Sequence, residues 1–416
     1  MKAGIIGLGY VGLPLATGLS RAGHQIVGID TNAHVVGKLS SGQSHIQDVH
    51  SREVQDLLAT GGMFSATEGA LKKLDAYVIC VPTPLGRDGH PDLSYVESAA
   101  RSVSSVLSTG ALVVLESTTY PGTTEEVLRP LLEQGSGLIA GVDFHLAYSP
   151  ERIDPGNPLF GVENTPKIVG GLTDRCADRA TELYGSLGIQ VVRAKGLREA
   201  ELAKLLENTY RHVNIALVNE MVKFCGPLGI DLQDAIRCAA TKPFGFEAFY
   251  PGPGVGGHCI PIDPNYLSYR VRSELGYPFR FVELAQEINA SMPLHVVNRL
   301  QAELNDLGKP LKGARVLLMG ITYKPNVADM RESPAEPIAR LLRDRGAVIA
   351  YSDPFIPTWA VDGQALISQQ AAECQDCDAV VLLQNHSDFS EPEILLGGRL
   401  VLDTRGVLQG ETVRYL

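Results

Sequence analysis

No apolar run in the 416-residue chain approaches the ~20 residues needed to span a bilayer, so no membrane-crossing helix is expected. The start also lacks a signal-peptide apolar region and cleavage site. It opens on a strand, "MKAGIIGLGY", and a cytoplasmic location is expected. Cations are outnumbered: 36 Lys and Arg stand against 47 Asp and Glu, a net charge of −11. That balance argues against a broad phosphate-backbone groove and so against nucleic acid, while small basic sites for anionic ligands stay open. Cysteine is scarce and odd in number, seven residues at positions 80, 176, 225, 238, 259, 374 and 377, which make no disulfide framework and suit a reducing compartment. The close pair Cys374 and Cys377 in "CQDC" lacks the second pair of a structural zinc site and reads as a turn into the strand "DAVVLLQ"; no metal is expected.

What is present is alternation. Short apolar runs ("AGIIG", "QIVGID", "AYVICVP", "ALVVLES", "FHLAYSP", "KIVGG", "IQVVRA") are separated by helix-length segments, the pattern of a parallel sheet covered on both faces. This domain is expected to span residues 1–195. From Arg198 to Cys225 there is no Pro or Gly, and Leu202, Leu205, Leu206, Ile215, Leu217, Val218, Met221 and Val222 recur at helical spacing, which predicts one long helix. "DLQDAIRCAA" and "RFVELAQEINASMPLHVVNRLQAELN" extend a helical middle domain, 196–300, with a Gly- and Pro-rich loop between them. Beyond Lys312 the alternation resumes in "ARVLLMG", "VIAYSDP", "DAVVLLQ" and "RLVLDTRG", giving a second doubly wound domain, 301–416. The expected fold class is α/β, two Rossmann-like domains joined by a helical middle domain, with chemistry in the cleft between them.

"GIIGLGYVGLP" supplies Gly7-x-Gly9-x-x-Gly12 between a strand and a helix. The first glycine permits the tight turn, the second lets a pyrophosphate approach the backbone, and the third lets the helix pack closely. Tyr10 and Val11 lie inside the turn. Asp30, ending "QIVGID", stands where a carboxylate meets a ribose 2′-hydroxyl and repels a 2′-phosphate, so NAD is the expected cofactor. "VPTP" with Pro82 and Thr83, and "ESTTYPGTT" with Thr118, follow strands at their carboxyl ends and are expected to line the cofactor or reaction site; by themselves such threonines read equally as helix caps.

On the long helix Lys204 and Asn208 are four apart and share a face, a pairing able to stabilise a developing oxyanion. Helix statistics alone favour an exposed Lys204 beside Glu207. In "GPGVGGHCIPIDP", residues 252 to 264, glycines and prolines surround Cys259, with His258 before it and Asp263 after. Because adjacent residues of an extended loop point apart, His258 is expected to be structural or to bind substrate rather than to activate the thiol.

Together "GLGYVGLP", "VPTP", "ESTTYPGTTEE", "SPERIDPGN", "ELAKLLENTYRHVNIALVNE", "GPGVGGHCIPIDP" and "ITYKPNVADMRESP" resemble, in order and over essentially the whole chain, the signature blocks of the UDP-glucose and GDP-mannose dehydrogenase family. The resemblance implies two successive NAD-dependent oxidations of a sugar C6 alcohol to the carboxylate, and a homodimer made by the middle domain. It implies Cys259 as nucleophile, Lys204 and Asn208 as oxyanion donors, Thr118 and Asp263 as holders of water, and Glu151 as the acidic residue near the reacting carbon. Arg152, His212, Phe249, Tyr250, Gly254, Gly256, Gly257, Tyr323, Lys324 and Arg331 are implied at the nucleotide-sugar site, with Lys324 also near the cofactor. For Arg331, a salt bridge to Asp329 or Glu332 is compatible with that role. The thiol has a chemical reason: an aldehyde has no hydroxyl from which to expel a second hydride, and adding Cys259 makes a thiohemiacetal, an alcohol again, whose oxidation leaves a thioester for water.

"AATKPFGFEAFYPGPGVGGHC" resembles the branch acting on UDP-N-acetylglucosamine, and no arginine lies between Arg237 and Cys259, where UDP-glucose enzymes often carry one; Lys242 or Phe249 and Tyr250 are candidates for its role. UDP-glucose, dTDP-glucose and UDP-N-acetylmannosamine are the alternatives. A two-electron hydroxyacid dehydrogenase also pairs Lys and Asn four apart but has no use for Cys259 or the third domain. A non-catalytic NAD-responsive binding protein is the reading of a different class.

Overall fold

The computed structural model describes residues 1–86, 90–152, 159, 161, 164–257, 260–370, 374, 376–395 and 399–416. The chain divides into two compact units, Met1–Glu207 with Asn265–Tyr277, and Asn208–Pro264 with Pro278–Leu416.

In the first unit, the apolar runs become β1 (Lys2–Ile6), β2 (Gln25–Ile29), β4 (Ala76–Ile79), β5 (Leu112–Leu115), β6 (His145–Tyr148), β7 (Lys167–Gly171) and β8 (Val191–Arg193), and a short strand outside those runs, β3 (Met63–Ser65), joins them. They form one sheet in the order β3-β2-β1-β4-β5-β6-β7-β8. Strands β1, β4 and β5 are buried along almost their whole length, which is why they read as continuous apolar runs rather than alternating ones. The winding direction reverses between β1 and β4, the switch point at which such sheets hold ligands.

One edge departs from the expected parallel sheet. β7 pairs antiparallel with β6, and β8 follows β7. The sequence between β6 and β7 carries Pro150, Pro155, Pro158 and Pro166, a composition that disfavours the crossover helix a parallel connection uses. The chain turns back instead, and the start of β7 arrives at the same end of the sheet as the finish of β6.

The second unit holds β9 (Arg315–Met319), β10 (Val348–Ser352), β11 (Thr358–Val361), β12 (Gln364–Ile367), β13 (Ala379–Leu382), β14 (Leu400–Asp403) and β15 (Val413–Tyr415). β10-β9-β13-β14-β15 form a parallel sheet. The hairpin β11–β12 was not legible in the apolar runs, although its turn, Asp362-Gly363 with φ of 48° and 76°, is the short-range signal for one. Helix Arg280–Asp306 packs its Val296, Val297, Leu300 and Leu304 into the core of this sheet.

The long helix forms as expected, over Leu197–Cys225, but its faces are not those predicted. Leu202, Leu206 and Leu217 are 39%, 62% and 56% exposed, while Glu201, Lys204, Asn208, His212 and Asn219 are all at or below 9%. A polar stripe at helical spacing is buried and part of the apolar set is left open. Helix Asp263–Leu275 was not foreseen either. Among the described residues, no helix is long and apolar enough to cross a membrane, and no cluster of three or more His, Cys, Asp or Glu is placed to hold a metal.

Candidate active site

Three glycines shape the first βα turn, each for a different reason. Gly7 has φ of +92°, and a Cβ there would lie 2.6 Å from the Cys80 carbonyl oxygen; one at Gly12 would strike the Gly7 carbonyl oxygen. Gly9, by contrast, is exposed and a Cβ would meet nothing within 4 Å. The outer two therefore close the turn, and the middle one leaves open space at the helix start, where a pyrophosphate would meet backbone N–H groups. Asp30 sits just past β2, accepting from Leu8 N at 3.0 Å and Asn32 N at 2.8 Å. These residues fit a dinucleotide. Tyr10 and Val11 are half-buried and Pro82 is exposed, whereas Thr83 is 3% exposed and its carbonyl accepts from the Tyr266 hydroxyl at 2.5 Å.

Beyond the carboxyl ends of β5 and β6 the first unit concentrates charge. Glu116 accepts from Lys167 and from the Tyr184 hydroxyl, the latter at 3.1 Å. Glu151 accepts from Lys167 Nζ at 2.9 Å and from Arg152 N at 2.7 Å. Arg152 reaches Glu207 at 2.7 Å and the Pro166 carbonyl at 2.9 Å. The companion expected for Lys204 thus belongs to another cation. Lys204 is 8% exposed and has no ion pair among the described residues. A buried ammonium without an anion is costly to the fold and is a mark of a functional position. Thr118, two residues past Glu116, is half-buried.

In the second unit, Asn208 donates to Asp263 Oδ2 at 2.6 Å, both side chains being buried. The glycine loop lies flat against the C-terminal block. A Cβ at Gly256 would come within 2.7 Å of Tyr323 Cβ, and one at Gly257, whose φ is +87°, within 2.7 Å of the Tyr323 ring. Gly257 N donates to the Arg331 carbonyl at 2.9 Å, and Gly254, φ +141°, fits against Pro334. Arg331 is paired with Asp329 at 2.6 Å, and Lys324 is half-buried. His212 is 1% exposed, and burial alone lowers its imidazole to about 4, so it is neutral. Phe249 and Tyr250 stand in the loop before the glycines, with Phe249 edge-on to Tyr210 at 5.8 Å between ring centroids. Lys242 is exposed over Phe244. His258 and Cys259 lie outside the described residues.

Three supports escaped the sequence reading. Glu201 takes N–H donors from Gly122 and Thr124, at 2.6 and 2.9 Å, and the Thr124 hydroxyl at 2.7 Å, pinning the loop after Thr118. Asn219 donates to Asn289 Oδ1 and accepts from Gly252 N, both at 2.9 Å, holding the start of the glycine loop. Lys167 joins Glu116 to Glu151. The one signal for the first two was their spacing: Glu201, Lys204, Asn208 and Asn219 fall on one helix face, a polar stripe inside an apolar pattern. Cys374 and Cys377 are buried thiols joined by a turn, Cys377 N to Cys374 O at 3.2 Å.

Comparison with known proteins finds three family models along the chain: the UDP-glucose/GDP-mannose dehydrogenase family NAD binding domain over residues 1–188, its central domain over 198–291 and its UDP binding domain over 317–410. A UDP-N-acetyl-D-mannosamine dehydrogenase of Salmonella typhi is 35% identical over 418 residues, covering 97% of this chain and 98% of its own. The solved UDP-D-ManNAc dehydrogenase of Pyrococcus horikoshii superposes with a TM-score of 0.90 at 32% identity, covering 100% of this chain and 99% of that one. A UDP-glucose dehydrogenase from Pyrobaculum islandicum gives 0.87 at 29% identity, covering 100% and 96%.

Proposed function

The chain belongs to the UDP-glucose/GDP-mannose dehydrogenase family, NAD-dependent enzymes acting on nucleotide sugars, and from that premise we propose that it oxidises the C6 alcohol of a UDP-N-acetylhexosamine to the carboxylate. The observation that carries this reading is Lys204, a buried ammonium with no ion pair among the described residues, one turn before the Asn208–Asp263 hydrogen bond on the same helix face. Such donors suit an oxygen that becomes negative during reaction, and removing one of them commonly costs ~3 kcal/mol of transition-state stabilisation.

NAD, when bound, supplies the hydride acceptor, two molecules being consumed per sugar. The remaining work falls to the chain. Cys259 adds to the aldehyde carbon, so that the second hydride leaves from a thiohemiacetal and a thioester results. Water then breaks the carbon–sulfur bond, giving the carboxylate and returning the thiol. Lys204 and Asn208 hold the oxyanions, Asp263 and Thr118 orient the water, and Glu151 is the carboxylate at the reacting carbon. Tyr323, Lys324 and Arg331 hold the nucleotide end; the fit of the glycine loop on Tyr323 supports placing that end beside the loop. Residues 1–195 are assigned to NAD, 196–300 to dimerisation and 301–416 to the nucleotide, a division supported by the spans of the three family models.

The sugar itself is where two lines of support differ. The block before Cys259 favours UDP-N-acetylglucosamine, whereas the Salmonella and Pyrococcus relatives are named for N-acetylmannosamine. A panel of UDP-GlcNAc, UDP-ManNAc, UDP-Glc and dTDP-Glc, followed by NADH absorbance, decides between them. Two NADH per sugar are expected with a UDP-N-acetylhexosamine, and Cys259→Ser loses carboxylate formation. One NADH per sugar, or normal carboxylate yield from the serine variant, overturns the thiol mechanism.

A further inference from the structure

Lys167 opens β7, the strand that runs against the rest of the sheet. The register pairs Ala147 with Gly171 and Tyr148 with Gly170. Continued three residues, it sets Glu151 opposite Lys167. Had β7 run parallel, its first residue would lie at the amino ends of the strands, across the sheet from Glu116 and Glu151. The reversal brings a lysine to the carboxyl end, where one ammonium joins both carboxylates.

Each of the three charges is 9% exposed or less. The groups facing Lys167 are Glu116 after β5, Glu151 after β6, Cys80 after β4, the Tyr184 ring at 5.2 Å from the next helix, and Lys204 on the long helix. Cys80 is a neutral thiol, its pKa pushed up to about 12 by burial. Burial lowers the Lys167 ammonium to about 7, and both carboxylates lie within ion-pair distance of it. Without it, two buried like charges would face each other and one would take up a proton.

We propose that Lys167 is a positioning residue for Glu151: its ammonium, anchored by Glu116, fixes the Glu151 carboxylate at the carboxyl end of the sheet and keeps it ionised for the reaction. Glu116 is the counterweight, tethered in turn by Tyr184, so that Lys167 has one permanent partner and one working partner. The assignment rests on the proposed role of Glu151 at the reacting carbon.

Three variants test it, with kcat/KM for the preferred nucleotide sugar measured against pH. Lys167→Met removes the cation, and the acid limb moves up by ~1 pH unit or more. Glu116→Gln leaves the ammonium to Glu151 alone, and the limb moves down. The double variant Glu116→Gln/Lys167→Met removes one charge of each sign and brings the limb back toward wild type, because the two opposite charge effects sum, an outcome that a packing role does not produce. Should Lys167→Met fail to fold, Glu116→Gln and the double variant carry the test. Infrared titration of the carboxyl band in substrate-free protein reads the same protonation without turnover. Unmoved limbs in active variants overturn the proposal. Wild type that releases no NADH from any nucleotide sugar overturns the function instead, and the infrared titration then decides whether Lys167 keeps the carboxylate ionised.

Discussion

Glu201 shows how a single side chain can answer to two opposing effects. Burial pushes its carboxyl up to about 7, against the pull of the donors from Gly122 and Thr124. The folded state then keeps a proton that the unfolded chain has already released, so stability falls as pH rises from the ordinary 4.5 to about 7 and levels off above that. Glu201→Gln lacks this slope. Thermal melts of both proteins from pH 5 to pH 8 are expected to show wild type losing ground to the variant on the way up; wild type gaining ground would mean that the three donors keep Glu201 ionised. Lys204 and Glu201 also mark where legibility stops. From the sequence, a helical lysine beside a glutamate reads as a solvated pair, because nothing local reveals that the carboxylate of Glu207 is committed to Arg152. Gly7, Gly9 and Gly12 were fully legible, because backbone geometry constrains glycine locally, with no tertiary partner needed.

Elements were legible where their signal was periodic and long. The helix Leu197–Cys225 and the strands other than β3 and β15 follow directly from spacing, whereas the antiparallel direction of β7 does not, and the hairpin β11–β12 depends on a two-residue turn. The glycine loop is the element most exposed to substitution. Gly257→Ala places a methyl group against the Tyr323 ring at a backbone angle L-residues rarely adopt, a cost of ~1–3 kcal/mol. The loop is expected to lift from the C-terminal block, lowering kcat/KM for the nucleotide sugar by roughly the tenfold per 1.4 kcal/mol that such strain implies while NAD binding, read by fluorescence quenching, is unchanged. Equal loss of NAD affinity would show that the loop serves the fold as a whole rather than the sugar.

For the whole molecule, the alternation of apolar runs disclosed two Rossmann-like sheets and, between them in sequence, a helical stretch. Apolar side chains left open on the long helix were harder to read: spacing placed Leu217 in a helix without telling its surroundings, and it is 56% exposed, one heptad from Tyr210 at 47% and from Phe224 at 46%. A second copy of the chain is the proposed cover. Wild type is expected to sediment as a dimer and Leu217→Asp as a monomer at micromolar concentration; a monomeric wild type would sink the proposal. The buried polar stripe of that helix has a further effect, on which length changes a lineage can tolerate. One residue inserted after Asn208 would turn everything beyond it by ~100° and carry Asn219 away from Asn289 and Gly252. Residues 237–247 are exposed throughout and can lengthen or shorten with little consequence for either core, so indels among relatives should collect there and avoid the helix.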